Sequence, residues 1–423
     1  MTRTGCDGAD TLFAAMPHTK TGSRRRRRRR IAVISTSRAD YGPLYWVLRG
    51  LQGSRSASLQ LILMGSHFSR AHGSTYRTVR RDGFVPAAEI RAVPSADTPK
   101  AIARSIGRTT IALADAFERL RPDLVVILGD RYELLSVGAA ATIFRLPIVH
   151  LHGGESTEGA IDEDIRHAIT KLSHLHLVAA APYAARVAAM GEERWRIRTV
   201  GAPGIDHLER TQLPTVESVL AAIGFRTDPA RPLFLVTHHP VTRRAGATRA
   251  EAQAIARALS SFDARIVVTA PNADQEHQVL VKELRAMRTD GATVRFVASL
   301  GSPAYLSLLR SADVIVGNSS SGLLEAPSFG TPVVNVGPRQ RGRLRAANVI
   351  DAEPDARAIR KAITTALGSA FRRRARKAVN PYGRPGASER IVKILLTVPL
   401  GTRLLEKRVS RGQVRQAPEP IRR

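Results

Sequence analysis

Short runs of Val, Ile and Leu recur along the chain, separated by amphipathic stretches of helix length. The first half carries them at 31–35, 59–64, 124–128, 147–151, 175–179 and 197–200. The second half carries them at 233–237, 265–269, 294–297, 314–316, 332–336 and 349–351. Brief, bulky runs bounded by turn residues predict strands buried on both faces. The clearest helix covers 99–120. Pro99 suits a first turn, Ile102, Ile106, Leu113, Phe117 and Leu120 approximate one apolar face, and Arg121-Pro122-Asp123 stops the run. Strand–helix alternation predicts parallel sheets with right-handed crossovers. Two similar halves predict an α/β protein of two doubly wound, Rossmann-like domains, with a linker near 202–214 where Pro and Gly cluster.

A length of 423 residues agrees with two domains. Cys6 is the single cysteine, which excludes a disulfide framework, a cysteine zinc cluster and a CxxC redox centre. No apolar run reaches the roughly 18 residues of a membrane-spanning helix, so a cytoplasmic protein is expected. The net charge of +29 is unevenly spread: residues 1–30 hold 9 basic against 2 acidic residues, and residues 371–423 hold 15 against 3. Seven consecutive arginines, Arg24 to Arg30, repel one another, so 1–30 is expected to be a disordered leader and 401–423 a basic disordered tail. The run is no signal peptide, because 31–34 is too short an apolar region and Arg38 and Asp40 interrupt it. An arginine arm binds phosphates without sequence preference, so no specific nucleic-acid function is expected.

In open parallel sheets, ligands bind beyond the carboxyl ends of the strands. The run 124–128 ends in Gly129-Asp130-Arg131, a carboxylate beside an obligate cation, with a helix N-cap as the alternative role for Asp130. The run 147–151 continues as His150-Leu151-His152-Gly153-Gly154-Glu155. Period two places both imidazoles on one side, and the glycines admit close backbone approach. Asp162-Glu163-Asp164 then opens a helix in which Asp162 and Arg166, four apart, share a face and can pair. Carboxylates and imidazoles converging from three successive loops suit general acid–base work.

The second half supplies Thr237-His238-His239-Pro240, Ala270-Pro271-Asn272 and Gly317-Asn318-Ser319-Ser320-Ser321-Gly322 after successive strands. A Gly/Ser turn opening a helix offers N–H groups, hydroxyls and a positive dipole end to a phosphate or pyrophosphate. Capping alone is the alternative for the serines. Glu325, one turn further on, suits two vicinal ribose hydroxyls. No Lys follows the glycines as in a Walker loop, and 35–42 does not spell GxGxxG, so neither a P-loop nor a dinucleotide site is indicated.

Seven segments in order resemble the hydrolysing UDP-N-acetylglucosamine 2-epimerases of sialic-acid-type sugar biosynthesis: 37–41, 129–131, 152–155, 165–172, 239–242, 317–322 and 337–343. The similarity spans roughly residues 31–400. It implies a glycosyltransferase-B-like architecture, with residues 31–205 and a returning helix at 385–397 forming one domain and 206–384 the UDP-binding other. It implies that Arg38, His239, Asn272, Ser319, Ser320 and Glu325 hold UDP. Asp130, Glu155 and Asp162 would be the catalytic carboxylates, with His152 modulating them and Arg131, His150 and Arg166 near the sugar and phosphates.

The chemistry implied is loss of UDP from C1 with the C2 proton, giving a glycal that water then hydrates to the free manno-configured sugar. Two carboxyl groups in unlike environments supply base and acid, and the resemblance does not assign which is which. No metal or cofactor is expected, and a homo-oligomer is. His152 stands where non-hydrolysing members commonly carry a carboxylate. Candidate substrates are UDP-N-acetylglucosamine, for sialic-acid-like sugars, and UDP-2,4-diacetamido-2,4,6-trideoxy-glucose, for legionaminic-type acids. A glycosyltransferase of this fold and a binding protein using its basic tails are the competing readings.

Overall fold

The computed structural model describes residues 27–96, 98–156, 161–225, 230–241, 246–271, 276–287 and 293–408. The first half forms seven strands: β1 (Arg29–Ser35), β2 (Ala57–Met64), β3 (Ala88–Ile90), β4 (Leu124–Leu128), β5 (Ile148–Leu151), β6 (Leu175–Val178) and β7 (Ile197–Thr199). The second forms six: β8 (Leu233–Thr237), β9 (Arg265–Thr269), β10 (Thr293–Val297), β11 (Val314–Gly317), β12 (Val333–Val336) and β13 (Val349–Ala352). All pairings are parallel, in the orders β3-β2-β1-β4-β5-β6-β7 and β10-β9-β8-β11-β12-β13. The strand order reverses between β1 and β4, and again between β8 and β11. A crevice opens beyond the strand ends at each such point.

Residues alternate between two buried faces, as the apolar runs require. In β1, Ile31 and Val33 join the core under helix Arg38–Gln52, while Ala32 and Ile34 join the core on the opposite face with Phe117 and Val137. Helix Pro99–Leu120 has the expected bounds, N-capped by Thr98 and ended by Arg121 in the left-handed conformation, φ +44°. Edge strand β3 was not anticipated: three residues centred on Glu89 carry no apolar run, and only the pairing with β2 reveals them.

The segment expected as a linker is packed rather than loose. Pro203–Asp206 forms a buried 3-10 turn, and both carboxylate oxygens of Asp206 accept backbone N–H groups of Gly386, Ala387 and Ser388. Those donors open helix Ala387–Thr397, which places Ile391 and Leu395 in the core of the first sheet.

Both terminal expectations need correction at their inner ends. Arg29 and Arg30 belong to β1, in register with Ala57 and Ser58, because Asp123 neutralises Arg30 and Arg27. Thr402–Leu405 forms a helical turn instead of disordered tail. Leu404 is buried, and the buried Arg196 guanidinium donates to the carbonyls of Arg403, Leu404 and Glu406. Lys407 adds bonds to Glu192 and to the carbonyls of Lys171 and Ser173. Residues 1–26 and 409–423 lie outside the described residues.

Asp206→Ala strands three N–H groups at a helix start, and is expected to cost about 2 kcal/mol. Urea unfolding should show the midpoint falling; an unmoved midpoint would deny this cap its role in seating the returning helix.

Candidate functional site

Ser37 caps helix Arg38–Gln52, and Asp40 closes the box by accepting the N–H groups of Thr36 and Ser37 at 2.5 and 2.7 Å. This fixes Arg38 in the first turn, from which Nη1 crosses the cleft to the Ala298 carbonyl, 3.4 Å away beyond β10. Burial lowers its pKa, opposed by the Tyr305 hydroxyl across the cleft.

Past β4, Asp130 does not cap the next helix, which starts at Glu133 without a side-chain cap. Its carboxylate meets the guanidinium of Arg166. Arg166 is buried in helix Asp162–Leu172, and Nη1 also donates to Glu163 at 2.7 Å and to the Glu155 carbonyl at 2.9 Å. Arg166 thus pairs with Asp130 and Glu163, and Asp162 also acts electrostatically on Arg343 of the second half. Arg131 pairs with buried Glu133 at 3.4 Å, and burial raises the Glu133 pKa.

The two imidazoles take different hydrogen-bond partners. β5 ends at Leu151, and His152 takes a left-handed φ of +63°, so strand alternation no longer governs it. His150 is fully buried. Burial pushes its pKa down to about 3, and the neutral ring donates from Nε2 to the Gly129 carbonyl at 2.8 Å. It therefore holds the Asp130 loop through the Gly129 carbonyl. His152 Nδ1 lies 2.5 Å from Glu155 Oε1. Glu155 is buried, which alone would raise its pKa, yet His152 and Arg343 outweigh burial and hold it below the usual carboxylate value. Gly154, φ +75°, is obligatory, because a Cβ there would sit 2.5 Å from the Tyr183 carbonyl.

The facing wall is built around Asn318. Its Oδ1 accepts the His239 N–H at 2.7 Å, and its Nδ2 donates to the His239 carbonyl at 2.8 Å, so the loops after β8 and β11 are clamped side by side. Gly317 permits this approach: a Cβ at its φ of +132° would lie 2.1 Å from the Thr237 carbonyl. His238 turns inward to Glu251, 3.2 Å away, and leaves His239 at the cleft.

Ser320 precedes the turn Ser321–Leu324 without a side-chain cap, so capping does not account for its hydroxyl. Ser319 Oγ accepts the Ser321 N–H at a long 3.4 Å. The expected helix dipole needs correction: this helix is a single turn, broken at Glu325 before Ala326–Phe329, and its dipole is small.

Glu325 lies against Gly204 of the buried 3-10 turn, and its Oε2 has no hydrogen-bond partner among the described residues. Burial pushes its pKa up to about 7, against the pull of the Ser321 hydroxyl and His152. Asn272 lies outside the described residues. A cavity of about 600 Å³ between the Arg38 turn and the segments after β9 and at β10 is lined by Arg38, Arg131, His277, Lys282 and Arg285, with no acidic side chain among the described lining residues.

Sequence reasoning quoted Arg339 and Arg343 in a motif but gave them no role. Arg339 Nη1 reaches the Asn318 carbonyl at 3.4 Å, and Arg343 Nη2 reaches Glu155 Oε2 at 3.4 Å. Tyr183 and Tyr382, whose hydroxyls meet at 2.9 Å behind Arg343, were not singled out, because no local spacing marks them.

Two doubly wound sheets whose strand ends face each other across a polar cleft define the glycosyltransferase-B-like class. The family model described as UDP-N-acetylglucosamine 2-epimerase matches residues 49–396, and the chain belongs to this family of enzymes acting on nucleotide sugars. It is 35% identical to the UDP-N,N'-diacetylbacillosamine 2-epimerase (hydrolyzing) of Legionella pneumophila, covering 90% of this chain and 98% of that protein. It is 32% identical to the UDP-N-acetylglucosamine 2-epimerase of Neisseria meningitidis, covering 80% and 87%. Its fold matches the crystal structure of UDP-GlcNAc 2-epimerase from Neisseria meningitidis bound to UDP-GlcNAc, with a TM-score of 0.76, 17% identity and coverage of 87% and 99%. No described helix is long and apolar enough to cross a membrane.

Folding raises the Glu325 pKa from an ordinary 4.5 to about 7. Between those values the native state holds the extra proton, so this group's stabilising contribution is full at low pH and lost as pH rises through about 7. The stability difference between wild type and Glu325→Gln, followed by urea titration from pH 4 to 8, should shift against wild type over that window. A pH-independent difference would place Glu325 in a solvated setting.

Proposed function

We propose that this protein is a hydrolysing 2-epimerase that converts a UDP-activated 2-acetamido sugar to UDP and the free manno-configured sugar. One observation carries the reading: two carboxylates sit in unlike settings, and the loop whose Arg343 reaches Glu155 also bonds Asn318 of the serine turn through Gln340. Asp130 lies against the Arg166 guanidinium, and Glu155 lies between His152 and Arg343.

In this reading the pyrophosphate rests on the backbone N–H groups and hydroxyls of Ser319 and Ser320, with Arg38 and His239 closing on it. The Glu325 Oε2, unpartnered among the described residues, accepts a ribose hydroxyl. Arg38 and the donors of the turn stabilise the charge that develops on departing UDP. One carboxylate removes the C2 proton while the C1–O bond to UDP breaks, leaving a C1=C2 glycal. Water then adds: hydroxyl goes to C1, and the second carboxyl group gives a proton to C2 from the opposite face. Asp162 orients this end of the cleft through Arg343.

The chemistry is common to both candidate sugars. The higher identity and near-complete coverage of the Legionella relative favour the diacetamido sugar over UDP-N-acetylglucosamine.

Incubation with each UDP-sugar in deuterated water tests the reading. NMR should show UDP release and deuterium at C2 of a free manno-configured product. Acceptor-dependent transfer without deuterium would exclude the epimerase in favour of the transferase, and release from neither sugar would exclude both candidate substrates. Asp130→Asn and Glu155→Gln should each lower kcat by at least about 10²-fold while calorimetry finds UDP affinity retained.

A further inference from the structure

Glu155 is gripped from both sides of the cleft. Its Oε1 faces His152 Nδ1 at 2.5 Å within its own turn, and its Oε2 faces Arg343 Nη2 at 3.4 Å from the loop after β12 of the other sheet. Arg343 Nε donates to the next carbonyl, that of Ser156, at 2.9 Å. A single guanidinium from the second domain thus holds two consecutive residues of the first.

The loop that carries Arg343 is fastened at both ends. Toward the first domain, the Leu344 N–H donates to the Tyr183 hydroxyl at 3.1 Å and Arg186 reaches the Gly342 carbonyl at 3.5 Å; the Tyr382 hydroxyl, which meets that of Tyr183, donates to the Leu344 carbonyl at 3.2 Å. Toward its own domain, Gln340 Nε2 donates to the Asn318 carbonyl at 2.7 Å, in the turn proposed to hold the diphosphate. The loop therefore connects that turn mechanically to Glu155.

We propose that Arg343 is a positioning residue: it arrives with the second domain as the cleft closes, fixes the Glu155 carboxylate between itself and His152, and withdraws as the cleft opens to release UDP. The inference rests on Glu155 being one of the two reacting carboxyl groups. The charged and titratable groups around Glu155 are His152 in its own turn, buried His150 behind it, Tyr183 and Tyr382 beside Arg343, Arg166 on its backbone carbonyl, and Arg186 on the Gly154 carbonyl. Glu163 accepts the neighbouring Ser156 hydroxyl at 3.2 Å. Among the described residues acting directly on the carboxylate, Arg343 alone comes from the opposite sheet, so among them its effect alone depends on closure.

A cation within about 4–6 Å lowers a carboxylate pKa by roughly 1–3 units. Its removal moves the Glu155 ionisation upward whether Glu155 serves as base or acid. The test uses the full chain with saturating UDP and ¹³C-carboxyl-labelled glutamate, taking the infrared difference between each protein and its Glu155→Gln counterpart. Arg343→Gln should raise the Glu155 ionisation by roughly one unit or more, and Arg343→Lys should restore part of it. The limb of the kcat/KM profile that Glu155 governs should move to higher pH while the UDP Kd stays within about twofold.

An unmoved ionisation in Arg343→Gln would overturn the proposal. So would a UDP Kd that weakens in step with kcat/KM, which would make Arg343 a phosphate ligand. Should Arg343→Gln fail to fold, Tyr382→Phe loosens the loop with the guanidinium intact and should raise the ionisation by a smaller amount; no change there would equally overturn it. Wild type inactive on both sugars would defeat the epimerase reading, while the infrared titration would still report on Arg343.

Discussion

The geometry of the cleft depends on one buried cation. Arg166 carries a side chain that is 1% exposed, and burial pulls its pKa well down; the groups it gathers oppose this, among them Asp130 after β4, Glu163 in its own helix and the carbonyl of Glu155 after β5. A guanidinium is planar and rigid, so its donors fix the spacing of those loops as well as their charge. His150 completes the frame by holding Gly129 from behind as a neutral donor. The acid side of the cleft is therefore set before any ligand arrives.

The opposite wall is set by a neutral counterpart. The Asn318 amide satisfies both backbone groups of His239, and Gly317 lets two strand ends approach as no other residue could. Each wall is stiff, and the contacts between them are of another kind: Arg38 to Ala298, Arg343 to Glu155 and the tyrosine pair to Leu344. Beside these polar contacts an apolar cluster packs Val178, Tyr183 and Ile205 against Leu323 and Leu344.

Much of this was legible in the sequence, for physical reasons. Strands buried on both faces write themselves as bulky runs, and helix 99–120 carries Pro99 at its start and an apolar stripe, so these features follow from local pattern. Loops after strand ends were equally readable, because the sheet topology dictates where ligands go. What failed was inference past an element's end. The alternation that joined His150 to His152 stops with β5, and the helix dipole assigned to the serine turn assumes a helix that Glu325 and Pro327 interrupt. Helical spacing sets Arg166 against Asp162, four residues before it, while folding also offers it Asp130. Arg343 and Glu155 are nearly two hundred residues apart, and no spacing rule reaches that far. The ordered ends at Arg30 and Lys407 rest on Asp123 and Glu192, partners likewise remote in sequence.

The central claim is spatial: a diphosphate lies on the serine turn with the sugar carried toward Asp130 and Glu155. A crystal structure of the protein with UDP tests it most directly. The account predicts the phosphates within hydrogen-bond distance of Ser319, Ser320 and His239, the ribose beside Glu325, and Arg38 closing from the other wall. A nucleotide seated elsewhere, with the serine turn empty, would contradict it.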